Sequence, residues 1–247
     1  MTDPSASALQ SPSPAGSFPY RFGRIVLLAW EEVLGKEAFE RVLREADDPG
    51  LQAVRLADPL PARFKLEALG QVEGALDTLY GEQAGRGMSL RAGRIALRKG
   101  LREIAGALTA SPQCRGLRSL PLQSRIQRGA ELLAEVFNRN SDQVVRLATE
   151  GRSLLWTNER CPYCFGRHTQ RACCHLLVGT FQEGLAWLSG GKHFAVEEQY
   201  LGRNELERLK HEHEIPLGLY ASGRRGKRVR FLSQFPREEK GKNGEEV

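Results

Sequence analysis

The chain is expected to fold as an α+β protein, with N-terminal helices packed on a small antiparallel sheet and one long helix after a cysteine-rich turn. Three observations carry this expectation. Apolar residues recur at helical spacing from Phe22 to Phe137. The period then shortens to that of strands over 143–158, and helical spacing returns once after Cys174 before a last strand-like run at 193–198. Helices first, then strands flanking a single helix, indicate an antiparallel sheet rather than repeated βαβ units.

Each element has its own signal. Residues 1–17 are rich in Pro and Ser, cannot bury apolar area and are read as a disordered N-terminal segment. Phe22, Ile25, Leu28, Ala29 and Val33 form one stripe that runs to Gly35, and Ala38, Phe39, Val42, Leu43 and Ala46 form a second that ends in the turn Asp47-Asp-Pro-Gly50. Leu66, Leu69, Val72, Leu76, Leu79 and Tyr80 share the face of a third helix. The element from Ser89 to Leu108 carries Ile95, Leu97, Leu101, Ile104 and Leu108, together with Gly93, Gly100 and Gly106. Glycine costs up to about 1 kcal/mol per helical site relative to alanine, so these positions call for a reason. Close approach of another helix, close approach of a ligand, or a break in the helix would each supply one.

A further helix is expected from Leu120 to Phe137. Two β-prone runs follow, 143–148 and Ser153–Asn158, joined by Glu150-Gly-Arg152 as a hairpin. Leu177, Phe181, Leu185 and Leu188 mark the helix beyond the cysteines, stopped by Gly190-Gly191, and His193 to Glu198 reads as a third strand.

Composition narrows the classes of function. With 247 residues, 40% hydrophobic and 27% charged, the chain can build a full core and has an ordinary globular balance. No apolar run is long enough for a membrane span, and the polar start does not resemble a secretory signal. Five cysteines, mostly clustered, suit a reducing compartment better than a disulfide framework, so the cytoplasm is the expected location. The net charge of +6 hints at nucleic acid, but residues 222–247 hold eight Lys/Arg against four Glu and so account for most of it. A charged tail is usually just solvated, and nucleic acid is not an expected partner. The sequence leaves a homodimer open.

The densest chemistry lies in Cys161-Pro-Tyr-Cys164 and Cys173-Cys174-His175, which place four of the five cysteines within fourteen residues. Cys161-Pro-Tyr-Cys164 matches the active-site tetrapeptide of glutaredoxins. That chemistry needs its first thiol at a helix N-terminus. Here the following Phe165-Gly-Arg-His-Thr-Gln is a poor helix start, with no βαβ pattern behind it. Cys161, Cys164 and Cys174 could instead act as metal ligands, zinc being the natural choice, with His168, Cys173 or His175 near enough to complete four. Burial as small packing residues is the competing reading. If the metal reading holds, the three sulfurs must converge in space. His211-x-His213 offers a weaker pair, since residues two apart on a helix face different ways.

In order and spacing, Arg160-Cys-Pro-x-Cys-x-Gly-Arg, Cys174, Gly179-x-x-Gln-Glu-Gly-Leu, Trp187, Ser189-Gly-Gly and Phe194-x-Val-Glu-Glu resemble the 4-vinyl-reductase domain family. Arg21-Phe-Gly-Arg-Ile and Gly85-Arg-Gly-Met-Ser-Leu-Arg-Ala-Gly93 extend the likeness, which covers Tyr20 to Glu198. The resemblance implies an α+β ligand-binding fold, related to heme-nitric-oxide-binding domains and transport-particle subunits, that takes a small hydrophobic molecule, often in a sensory role. The alternative it implies is an accessory factor or reductase acting on a vinyl-bearing tetrapyrrole in (bacterio)chlorophyll synthesis. No nicotinamide or flavin fingerprint accompanies it, so whether any reaction is catalysed is left open.

On this reading residues 18–200 are the ligand-binding domain, and its pocket is expected beside Gly93, Gly100, Trp156 and Phe181. Residues 201–247 form a divergent, charged and mostly basic tail. The family pattern calls for two further cysteines after Val196-Glu-Glu, and this chain has none there. The stretch beyond Gln199, with Leu206 and Leu209 as its first apolar anchors, is expected to add little to the core.

Overall fold

The computed structural model describes residues 17–51, 63–65, 67–110, 116–150, 153–158, 160–164, 167, 172–200 and 229–234. Its helices are α1 (Tyr20–Leu34), α2 (Lys36–Glu45), α3 (Ala68–Tyr80), α4 (Glu82–Ala110), α5 (Leu122–Asn140) and α6 (His175–Ser189). Its strands are β1 (Ser17–Pro19), β2 (Arg63–Lys65), β3 (Val145–Glu150), β4 (Ser153–Asn158), β5 (Val196–Tyr200) and β6 (Val229–Gln234). Strands β1 and β2 form a small antiparallel pair, and the main sheet is antiparallel in the order β3-β4-β6-β5. This is the α+β architecture expected from the sequence, with the helix placed after the cysteine turn.

Element boundaries follow local chemistry. Gly35 and Gly81 take φ values of +79° and +80°, which separate α1 from α2 and α3 from α4. Gly190 adopts the left-handed conformation at the end of α6, and the Gly191 amide donates to the Ala186 carbonyl at 2.7 Å. Gly93, Gly100 and Gly106 do not break α4: the helix is continuous over 29 residues.

Two of the glycines set how α4 packs on α6. A Cβ at Gly93 would run into the Leu176 carbonyl and lie 2.9 Å from the Thr180 nitrogen; a Cβ at Gly179 would meet the Leu90 carbonyl in the same way. Backbone therefore packs on backbone, a separation only glycine permits. Trp30, Phe39, Leu69, Leu76, Leu176 and Leu177 are fully buried in the hydrophobic core.

The expectation that residues past Gln199 add little to the core is corrected at one place. Strand β6 inserts between β4 and β5, pairing Phe231 with Trp156 and with Glu198. Charge dominates the sequence there, but strand pairing uses backbone groups, and Val229, Phe231 and Leu232 have the β-prone character that suits it. Residues 201–228, including His211 and His213, lie outside the described residues.

Candidate functional site

The start of α6 is where the chemistry gathers. Helix N-termini leave amide N–H groups without intrahelical partners, and Cys174 at the cap position offers no side-chain hydrogen bond of its own. Two carboxylates from distant elements supply the missing acceptors. Glu198 of β5 accepts from the Cys173 amide at 2.8 Å and from the Cys174 amide at 2.8 and 2.9 Å. Glu73 of α3 accepts from the Leu176 amide at 3.1 Å. Negative groups are favoured at this end of a helix.

Arg167 ties this acidic pair to α3. Its guanidinium donates to Glu73 at 3.2 Å, to the Cys173 carbonyl at 3.2 Å and to Asp77 at 2.7 Å. Burial outweighs the Arg167 attraction at Glu73 and pushes its carboxyl up to about 8. Burial also raises Asp77 and Glu198 above the ordinary carboxylate range. His175 lies with Nδ1 3.8 Å from Glu198, yet burial, reinforced by Arg86 and Arg167, lowers it to about 4 and keeps it neutral at pH 7.

The sulfurs sit inside this shell. Cys161, Cys164 and Cys174 do converge: Sγ of Cys161 lies 3.2 Å from Sγ of Cys174, and Cys164 and Cys174 form a disulfide. Cys173 joins them, its thiol 3.6 Å from Sγ of Cys164. All four are at most 5% exposed. The sulfurs of Cys164, Cys173 and Cys174 and a Glu198 oxygen all lie within 4.8 Å of one another, a set that could hold a metal ion. Cys161 stands beside this set, against Cys174. Of the fourth ligands considered from sequence, Cys173 falls in place, His175 contacts the carboxylate instead, and His168 lies outside the described residues.

The donor chemistry fits a metal. With the Cys164–Cys174 disulfide reduced, three thiols and a carboxylate make a soft donor set that becomes anionic on deprotonation. Without a compensating cation, burial pushes the Cys161 thiol well above its ordinary value, and Glu198 and Glu73 push it the same way. A bound metal would supply the positive charge that holds such thiols as thiolates. The disulfide uses two of the same sulfurs, so disulfide and full metal coordination exclude each other.

The four residues expected to line a pocket divide into two pairs. Trp156 and Phe181 meet edge to face with ring centroids 4.7 Å apart, and both line an apolar cavity of about 60 Å³ between the sheet, α5 and α6. Ile126, Ala130, Leu185 and Val196 close it from their respective elements. Gly93 and Gly100 are not among its lining residues. Gly93 is occupied by the α6 backbone, as described above, and a Cβ at Gly100 would meet nothing within 4 Å. Sequence periodicity identified α4 as important, but it could not say which neighbour each glycine serves.

Glu73, Glu198 and Arg167 were not singled out from sequence as site residues. Glu73 carried a readable signal: it lies beside Val72 and between Leu69 and Leu76 on the apolar face of α3, where an acid must find partners. Arg167 and Glu198 stood within the family-like motif without an assigned role. No family model matches the chain, and no curated protein matches it.

Proposed function

We propose that this chain is a binding module for a small, mostly apolar molecule, in a 4-vinyl-reductase-type fold whose helix–sheet junction is tied by a cysteine-based zinc centre. The cavity lined by Trp156 and Phe181 carries this reading, because it is almost wholly apolar and lies between the sheet and two helices. Small-molecule sites are concave and lined mainly by hydrophobic and aromatic side chains, as this cavity is. Its size sets the class of ligand. About 60 Å³ is smaller than the roughly 150 Å³ cavity that holds benzene in an engineered protein. It is far below the roughly 300–1,000 Å³ of pockets for drug-sized molecules. A compact hydrocarbon-like molecule suits it with modest side-chain adjustment, whereas a tetrapyrrole ring would require the helices to part. The reading therefore favours a small ligand over the vinyl-bearing tetrapyrrole.

Zinc is preferred at the cysteine centre because thiolates select soft or borderline metals and a closed Cys-rich site is the usual structural zinc arrangement. Its role would be to hold the Cys161–Cys174 turn, and with it the start of α6, against β5. Mass spectrometry of natively purified protein tests the binding reading. A small apolar compound retained under native conditions and released on denaturation supports it; protein that carries none and takes up none from a panel of compact hydrocarbons contradicts it.

A further inference from the structure

Helix α4 carries a line of charge on its outer side. Arg91, Arg94, Arg98 and Arg102 are all exposed, while Ala92 and Ala96 between them are buried. At spacings of three, four and four residues the arginines share one face over about 16 Å of helix. Helices α1 and α6 border this face on its two sides. Nζ of Lys99 lies 2.7 Å from Glu32 of α1, and Nε of Arg98 lies 3.4 Å from Glu183 of α6. Arg94 donates to Gln182 of α6 at 2.6 and 3.2 Å, a neutral partner that leaves its charge in place. Among the described residues, Arg91, Arg94 and Arg102 form no ion pair.

Each border also carries an apolar side chain in solvent. Leu28 stands one turn before Glu32 and is 38% exposed; Trp187 stands one turn after Glu183 and is 50% exposed. Leu28, Leu79 and Trp187 are the exposed large hydrophobics among the described residues, so two of the three flank the arginine line. The other tryptophans, Trp30 and Trp156, are buried.

We propose that this face docks on an anionic lipid surface, with Arg91, Arg94 and Arg102 against headgroup phosphates and Trp187 and Leu28 at the boundary with the acyl chains. Charge complementarity selects the partner: arginines without carboxylate partners attract an anionic surface, and the attraction adds up along the line. Tryptophan prefers the membrane interface, and a flanking aliphatic side chain gains by leaving water there. Single-stranded nucleic acid would also use the arginines and could stack on Trp187, but it gives Leu28 no role. Among the described residues no helix is long and apolar enough to cross a membrane, so the contact is one of surface with surface. The proposal is independent of the cavity and of what the cavity holds.

The full chain, mixed with phosphatidylcholine vesicles with and without phosphatidylserine, tests it. Binding is expected with phosphatidylserine and not without, together with a blue shift of tryptophan emission and protection from acrylamide. That signal reports Trp187, because Trp30 and Trp156 are already buried. The double variant Arg91→Gln/Arg102→Gln breaks no ion pair and should bind about 25-fold more weakly, about fivefold for each arginine. The basic residues of 222–247 are intact in both chains. Vesicle binding with unchanged variant affinity and unchanged Trp187 emission would therefore assign it to that segment and overturn the proposal. Equal binding to neutral vesicles, or no binding to either, overturns it as well. Binding to a single-stranded oligonucleotide but not to vesicles overturns it in favour of nucleic acid.

Discussion

The Glu73 carboxylate accepts a hydrogen bond from the Leu176 amide at 3.1 Å, across 103 positions of chain, and so fastens α3 to the first turn of α6. The same carboxyl is fully buried and titrates near 8 rather than near its ordinary 4.5. The folded chain thus holds this proton more tightly than the unfolded chain does. The resulting stabilisation is complete below about pH 4.5 and is lost as pH rises through about 8. Thermal midpoints measured across that interval should decline for the wild type and be flatter for Glu73→Gln. Parallel curves would show that Glu73 titrates normally.

The cysteine centre should have two exclusive states. Reduced protein should take up one zinc ion per chain, and oxidation that joins Cys164 to Cys174 should release it, since both sulfurs belong to the metal-competent set. Elemental analysis with thiol counting reads both states, and Cys174→Ser should lower uptake by the reduced protein and abolish the Cys164–Cys174 switch. Zinc-free reduced protein that is fully stable would leave the cysteines as packing residues.

Gly93 and Gly100 should respond in opposite directions to the same substitution. A methyl at Gly93 meets backbone of α6, which cannot swing aside as a side chain can. Gly93→Ala should cost about 1–3 kcal/mol or more in urea unfolding. Gly100→Ala enters open space within a helix and should gain up to about 1 kcal/mol. Similar effects at the two sites would contradict the backbone-on-backbone crossing.

Removing β6 should damage the site as well as the sheet. Without Val229–Gln234, β5 loses its pairing partner and Glu198 loses the frame that holds it at the Cys173 and Cys174 amides. A chain ending at Lys227 should melt several degrees lower and expose Cys173 and Cys174 to a thiol reagent. An unchanged midpoint with protected thiols would show that β5 stands without it.

The helices were readable because each buries one stripe: the spacing of Phe39, Val42 and Leu43, or of Leu69, Val72 and Leu76, matches the buried faces found. The β3–β4 hairpin was readable from its short turn, and the convergence of Cys161, Cys164 and Cys174 from their spacing. Long-range electrostatics were not. Arg167 finds Glu73 and Asp77 at separations of 94 and 90 positions, and nothing local in the sequence specifies those pairings. Strand β6 was missed for a related reason: a strand inserted between two others draws on backbone hydrogen bonds, which its basic neighbours mask in any composition-based reading. The α4 glycines show the same limit, since periodicity places Gly93 and Gly100 on one face but cannot say that one meets a helix and the other meets none.

Xenon NMR of the wild type beside Ala130→Leu tests the binding reading most directly. Ala130 lines the cavity and is only partly buried, so a larger aliphatic side chain there can extend into the space without displacing the backbone. Xenon enters dry apolar cavities of this kind. Saturable xenon binding in the wild type, with contact shifts at Trp156 and Phe181 that vanish in a stably folded Ala130→Leu chain, is the predicted result. A wild type that binds no xenon, or a variant that binds it equally well, would contradict the assignment of this cavity as the ligand site.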